Sequence, residues 1–174
     1  MPPDERSALL EQLQAGKAAV RSEVSGISEE QARFKPEDGG WSILECMEHI
    51  AFAETGMFIA ISRMSVPGES ARHREESYYR SVINRSRKFD APERMKPSGR
   101  HGSLAAALAA FEESRDRTIR YVESVEDDLR GRRTTHPVVG EITCRECLGL
   151  LMGHPLRHAD QIREVKASPG FPMA

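Results

Sequence analysis

Two of the six histidines, His154 and His158, stand four residues apart in a stretch with a helical apolar pattern. On an α-helix that spacing sets them about 40° apart around the axis and ~6 Å apart along it, so both imidazoles leave the same face. One helix can grip a divalent ion in this way. The face is the inward one, because Leu151, three residues before His154, belongs to the apolar stripe. Two neutral imidazoles facing a core need a partner: a metal is one, a hydrogen-bonding neighbour another. A third ligand has to come from a different element. His49 is the one histidine inside the second helical segment, about two turns after its start, and His158 lies about two turns before the fourth segment ends. If those helices run antiparallel, His49 and His158 fall at nearly the same height. Three nitrogen ligands leave a coordination position open, as catalytic rather than structural sites do. One divalent ion there would activate water for hydrolysis or a thiol for transfer. Zinc, nickel, manganese and iron all accept imidazole.

Several neighbours bear on this chemistry. Gln161, three residues after His158, is placed to orient a ligand or to bond between helices. Glu45, four residues before His49, has a sufficient role as a helix cap and a lesser one as general base. His136, in a loop before Pro137, is a candidate for the mouth of the site. Asp160 is turned about 200° from His158 and reads as surface. Trp41 reads as packing at the bundle end, and His73 and His101 as surface residues. Pro155 removes one intrahelical hydrogen bond between the two rings and is expected to kink the helix. Cys144 and Cys147 form a C-x-x-C at a helix start, where the dipole lowers thiol pKa, so a thiol–disulfide site competes with simple core packing. Cys46, three residues before His49, leaves a mixed Cys/His metal site open, ranked below three histidines.

The elements that must position these residues are four helices. The first spans about 7–24, with Leu9, Leu13, Val20 and Val24 at helical spacing and Gly26 as its stop. The second follows Trp41: Ser42 and Glu45 make a capping box, and Ile43, Met47, Ile50, Phe58 and Ile61 mark its buried stripe. The third starts at Ser103 and carries Leu104, Leu108, Phe111 and Val125. The fourth starts with a second capping box, Thr143 and Glu146, and stops before Pro169-Gly170. No segment alternates apolar and polar residues for long, so no strand is expected. The fold class is all-α, a single four-helix-bundle domain over 1–174. A connector over 67–102 joins helices 2 and 3 and is long enough to cross the bundle, which would set those two helices parallel. Part of it, around 75–89, suits a short extra helix.

Composition bounds the function. Hydrophobic residues at 39% and charged ones at 30% describe a soluble globular chain, expected in the cytoplasm. The longest apolar run is eight residues, 104–111; a membrane span needs roughly 20. The N-terminus has no apolar h-region, so no secretory signal is expected. A net charge of −2 gives no global attraction to nucleic acid. Residues 63–100 do hold ten Lys/Arg against five Asp/Glu, which keeps nucleic-acid or partner binding as a rival reading, although such runs are usually solvated. Three cysteines are too few for a disulfide scaffold.

Gly40-Trp41-Ser42-Ile43-Leu44-Glu45 with Met47-Glu48-His49-Ile50, then His136-Pro137-Val138-Val139-Gly140, then Gly153-His154-Pro155-Leu156-Arg157-His158 with Gln161-Ile162, together resemble the DinB/YfiT-like superfamily. The pieces are individually weak, but their order and separation agree over about 7–166. The resemblance implies a four-helix bundle, a divalent metal on His49, His154 and His158, and a homodimer. The superfamily includes bacillithiol S-transferases and mycothiol-dependent maleylpyruvate isomerases, so a low-molecular-weight thiol cosubstrate and S-transfer to a small electrophile are implied. The alternatives are a metal-dependent hydrolase of a small ester or amide, or a non-catalytic metal-binding or interaction bundle. The long basic connector departs from the pattern.

Overall fold

Capping chemistry starts the long helices where the sequence places them. The structure, a computed structural model, describes residues 1–69 and 74–173. Ser42 and Thr143 each accept the amide three residues on, and Glu45 and Glu146 accept the cap residue's own N–H, opening α3 (Ile43–Ser62) and α6 (Cys144–Lys166). Ser103 caps α5 (Leu104–Ser124) through the Ala106 amide. α1 (Pro3–Val24) begins earlier than its apolar spacing predicts, because Pro3 is preorganised for the first helical turn. Two short helices lie between the long ones: α2 (Glu29–Arg33), with its own capping box from Ser28 and Gln31, and α4 (Glu75–Ile83) in the connector.

α3 packs beside α5 and α6, and α1 packs beside the same two, so α1 faces α3 and α5 faces α6 across the bundle. The contacts fix the directions. Thr55 bonds Ser114 and Phe58 meets Tyr121, so α3 and α5 are parallel. His49 meets His154 while Ile61 meets Cys144, so α3 and α6 are antiparallel. Two apolar clusters fill the bundle. One holds Leu9, Leu13, Met57, Ile61, Val122 and Leu148; the other holds Val20, Ile43, Met47, Phe111 and Ile162.

A polar layer of Glu54, Ser114, Arg115 and Thr118 accompanies these clusters, all buried. Its centre explains how α6 carries a proline. Pro155 has no amide hydrogen, so the Leu151 carbonyl four residues back loses its intrahelical donor. Arg115 donates to that carbonyl at 3.1 Å, to the Leu13 carbonyl at 3.1 Å, and to both Glu54 oxygens at 2.8 and 2.7 Å. Gly16 leaves room for this: a Cβ there would sit 3.3 Å from Arg115 Nη1 and 3.5 Å from the Met152 carbonyl. α6 runs through Pro155 as one helix.

The expectation of no strands is corrected. β1 (Val66–Pro67), β2 (Arg132–His136) and β3 (Gly140–Thr143) form a small antiparallel sheet in that order. Arg132-Arg133-Thr134-Thr135 has too few apolar residues to show a period. What holds the sheet is one tight turn, at Gly140 with φ +76°, together with tertiary contacts: Thr134 bonding the Ala60 carbonyl, and Ile142 in the core. Among the described residues no helix is long and apolar enough to cross a membrane.

Candidate metal centre

α3 and α6 bring His49, His154 and His158 together, with one nitrogen from each inside a 4.8 Å cluster. Two of the rings have their tautomers fixed. His49 Nδ1–H donates to the Met95 carbonyl at 2.8 Å, and His158 Nδ1–H donates to Gln161 Oε1 at 2.8 Å. Both acceptors are oxygens, so each neutral ring carries its hydrogen on Nδ1 and a bare lone pair on Nε2. Those Nε2 atoms lie 3.1 and 3.2 Å from His154 Nε2. One hydrogen on His154 could serve only one of them in a linear bond; a cation between the three serves all. The spacing suits one, since imidazole ligands about 2.0–2.1 Å from a tetrahedral ion stand ~3.3 Å apart.

Burial lowers the pKa of His49, and it lowers those of His154 and His158 well below the ordinary histidine value, the neighbouring imidazoles adding to the effect. The rings are thereby held neutral, the form that ligates metal. His49 and His158 are buried, and His154 keeps the most exposure, so the cluster meets solvent at His154.

The connector supports the site. Glu48, beside His49, accepts from the Ser98 and Gly99 amides and from Arg100. Burial works to raise its pKa, but those amides and Arg100 outweigh it and hold the carboxylate below its usual value. The clamp fixes the strand of chain that presents the Met95 carbonyl to His49. α4 lies on α6 next to His154: Gly153 gives it room, since any Cβ there would collide with Val82 and crowd Ile83 at 3.0 Å. Arg157 closes α4 by donating to the Val82, Asn84 and Arg87 carbonyls.

A cavity of about 1280 Å³ opens above the histidines, walled by α3, α4, the connector and the hairpin. Trp41 lines it and is more than end packing: its ring centroid is 4.9 Å from His49, and it stacks on His158 at 6.3 Å. His136 also lines it. Its Nδ1 accepts the Val138 and Val139 amides at 3.2 and 3.4 Å, so its neutral ring carries the hydrogen on Nε2. Burial lowers its pKa.

Other candidates fall elsewhere. Glu45 Oε2 accepts from the Ser42 amide and Lys35, and Glu45 is not among the cavity-lining residues. Asp160 pairs with Arg163. His101 is half-buried rather than at the surface, away from the cluster, and His73 lies outside the described residues. Cys144 and Cys147 are buried, and desolvation raises both thiols, Cys147 to about 12, so the helix dipole does not make them reactive. Cys46 is buried in the second apolar cluster, and burial pushes its thiol up as well. The roles of Trp41, Met95 and Glu48 were not read from sequence. A tryptophan directly before a capping serine is the one local signal for the first, whereas the other two depend on how the connector returns.

Against known proteins, a family model described as the DinB superfamily matches residues 12–162. The uncharacterized protein YuaE of Bacillus subtilis (strain 168) is 25% identical over 146 residues, covering 83% of this chain and 89% of that protein. Among solved structures, YfiT from Bacillus subtilis, described as a probable metal-dependent hydrolase with an unusual four-helix bundle topology, superposes with a TM-score of 0.61 at 20% identity, covering 96% of this chain and 89% of that one. TT2238, a four-helix bundle protein, gives 0.60 at 16% identity, covering 91% and 98%.

Proposed function

The chain belongs to the DinB superfamily, and on that footing we propose that it is a divalent-metal-dependent hydrolase of a small ester or amide, with His49, His154 and His158 as ligands. The observation that carries this is the convergence of the two fixed Nε2 lone pairs on His154 Nε2 at the floor of a large cavity. The description of YfiT supports the same reaction class. A divalent ion on three neutral imidazoles supplies a Lewis acid that activates a nucleophile and polarises the bond under attack. Zinc, nickel, manganese and iron all suit the donor set.

The chain's own groups have separable tasks. The Met95 carbonyl and Gln161 hold the His49 and His158 rings in the ligating tautomer. Trp41 covers one side of the cluster and excludes water there. His136 lines the cavity with its hydrogen on Nε2 and offers a hydrogen bond to an oxygen of the substrate. A second reading, S-transfer from a low-molecular-weight thiol to a small electrophile, is favoured by cavity size: about 1280 Å³ has room for two reactants. A homodimer and a cytoplasmic setting belong to this proposal, and sedimentation equilibrium tests the first.

Elemental analysis of untagged protein is expected to find about one divalent ion per chain. His49→Ala, His154→Ala and His158→Ala should each strip or weaken it, and each should abolish hydrolysis of an aryl-ester panel. Wild-type metal content in all three variants would overturn the assignment. Turnover of a thiol plus a chloroarene, with no ester hydrolysis, would replace the first reaction with the second.

A further inference from the structure

The cavity wall carries more than the histidine cluster uses. Among the described residues, seven large apolar side chains are exposed, and six of them line this one cavity: Phe52, Met64, Val66, Phe89, Val138 and Val139. They come from α3, the connector and the hairpin, so their gathering at one mouth is a feature of the tertiary fold. Scattered exposed apolar residues need no explanation, but six of seven gathered on the wall of one concave site do.

The charge of the wall is equally uneven. Seven Lys/Arg and four Asp/Glu line it, in a chain whose net charge is −2. Most of these cations are engaged: Arg85 with Glu164, Lys96 with Glu93, Arg133 with the Glu69 carbonyl, and Arg157 with the end of α4. Arg87, Lys88 and Arg94 have no ion pair among the described residues. All three lie in the connector on either side of Phe89, whose ring has the Arg87 and Arg157 guanidinium carbons 5.1 and 5.4 Å from its centre. A ligand that covers the apolar rim therefore meets unneutralised positive charge.

We infer that the site takes an anionic amphiphile: a single molecule whose acyl or aryl body lies along the Phe89, Met64 and Val138 rim while its carboxylate, or a group of the same charge, is held by Lys88, Arg87 and Arg94. The inference rests on the proposed hydrolase reading for the location of chemistry, but binding is independent of turnover. The labile bond then sits inward, toward His154, and the charged end outward. The connector, basic and without a counterpart in the sequence resemblance, is the specificity element of this chain.

Trp41 is the only tryptophan and lines the cavity, so its fluorescence reads binding directly. Metal-loaded protein is titrated with decanoate, decanol and decyltrimethylammonium, each below its micelle concentration. Decanoate is expected to bind about tenfold more tightly than decanol, with the cation weakest. The double variant Lys88→Glu with Arg94→Glu should erase that preference at unchanged metal content and unchanged circular dichroism. Met64→Ser with Val138→Ser should weaken decanoate and decanol alike.

Equal affinity for decanoate and decanol would overturn the inference. So would a preference that survives charge reversal, since the metal alone would then be gripping the carboxylate. Binding to anionic phosphatidylglycerol vesicles without binding to dispersed decanoate would overturn it in favour of a membrane surface. A protein that holds no metal yet discriminates decanoate through Lys88 and Arg94 would remove the hydrolase reading and leave this inference standing.

Discussion

Two side-chain hydrogen bonds decide what the imidazoles can do. The Met95 carbonyl and Gln161 Oε1 each take a proton from Nδ1, and without them the rings are free to turn their hydrogens toward the cluster. Gln161→Leu should therefore lower metal affinity by about 10–100-fold, the usual effect of losing such a partner. Competition with a chromogenic chelator measures it, and His101→Ala should match the parent protein. His136 makes a different prediction, because its hydrogen is on the other nitrogen. His136→Phe should leave metal content intact and reduce kcat by about a hundredfold, the scale of a lost hydrogen-bond donor to developing negative charge. A change in metal content would instead make it a fourth ligand. The histidines and Gln161 were visible in sequence because helical spacing is itself geometry. Trp41 was misplaced because it precedes its helix, where no periodicity says which way a ring will fall.

The helices show how a proline is carried between two of the clustered histidines. Arg115 supplies the hydrogen bond that Pro155 denies to Leu151, and Glu54 neutralises it in a layer with no exposure. Burial pushes the Glu54 carboxyl up, against the pull of Arg115 and the Thr118 hydroxyl. Arg115→Met should cost about 3–5 kcal/mol, because it strands both the carboxylate and the carbonyl. Adding Glu54→Leu should recover part of that loss, and urea midpoints for the two variants decide it; equal midpoints would mean that the stranded carboxylate is not the origin of the cost. Gly153 governs the neighbouring contact. Gly153→Ala drives a methyl into Val82 on α4 and should cost about 1–3 kcal/mol while weakening metal binding at the adjacent His154. The capping boxes at Ser42 and Thr143 made the starts of α3 and α6 legible to within a residue. The small sheet was not legible, since its strands are short and polar, and Thr134 and Arg132 anchor β2 to Ala60 and Ser65, far away in the chain.

At the scale of the whole molecule, the crossover that made α3 and α5 parallel also builds the cavity wall, and ion pairs join apolar packing on α6 in attaching it. Its length was evident from the sequence, but its landing points are apolar contacts and charge pairings between residues distant in the chain, which no local pattern encodes. Arg130 pairs with Glu5 at the start of α1 and with Glu75 at the start of α4, and Arg145 at the start of α6 joins them. The Arg130 guanidinium holds the Glu5 carboxyl down at about 2, against some desolvation and with help from Arg145. A carboxyl whose pKa is lowered by folding stabilises the native state above its unfolded value, near 4.5 here. As pH falls below about 4.5 the unfolded chain binds a proton that the folded one refuses, and the contribution is gone once pH reaches about 2. Stability should thus be flat in this respect above pH 5 and decline below about 4.5. Glu5→Gln should be less stable at neutral pH and show a shallower decline, so that the two urea-stability curves approach one another in acid. Curves that stay parallel from neutral pH down to about 3 would show that the Arg130 network adds nothing to the attachment of the connector.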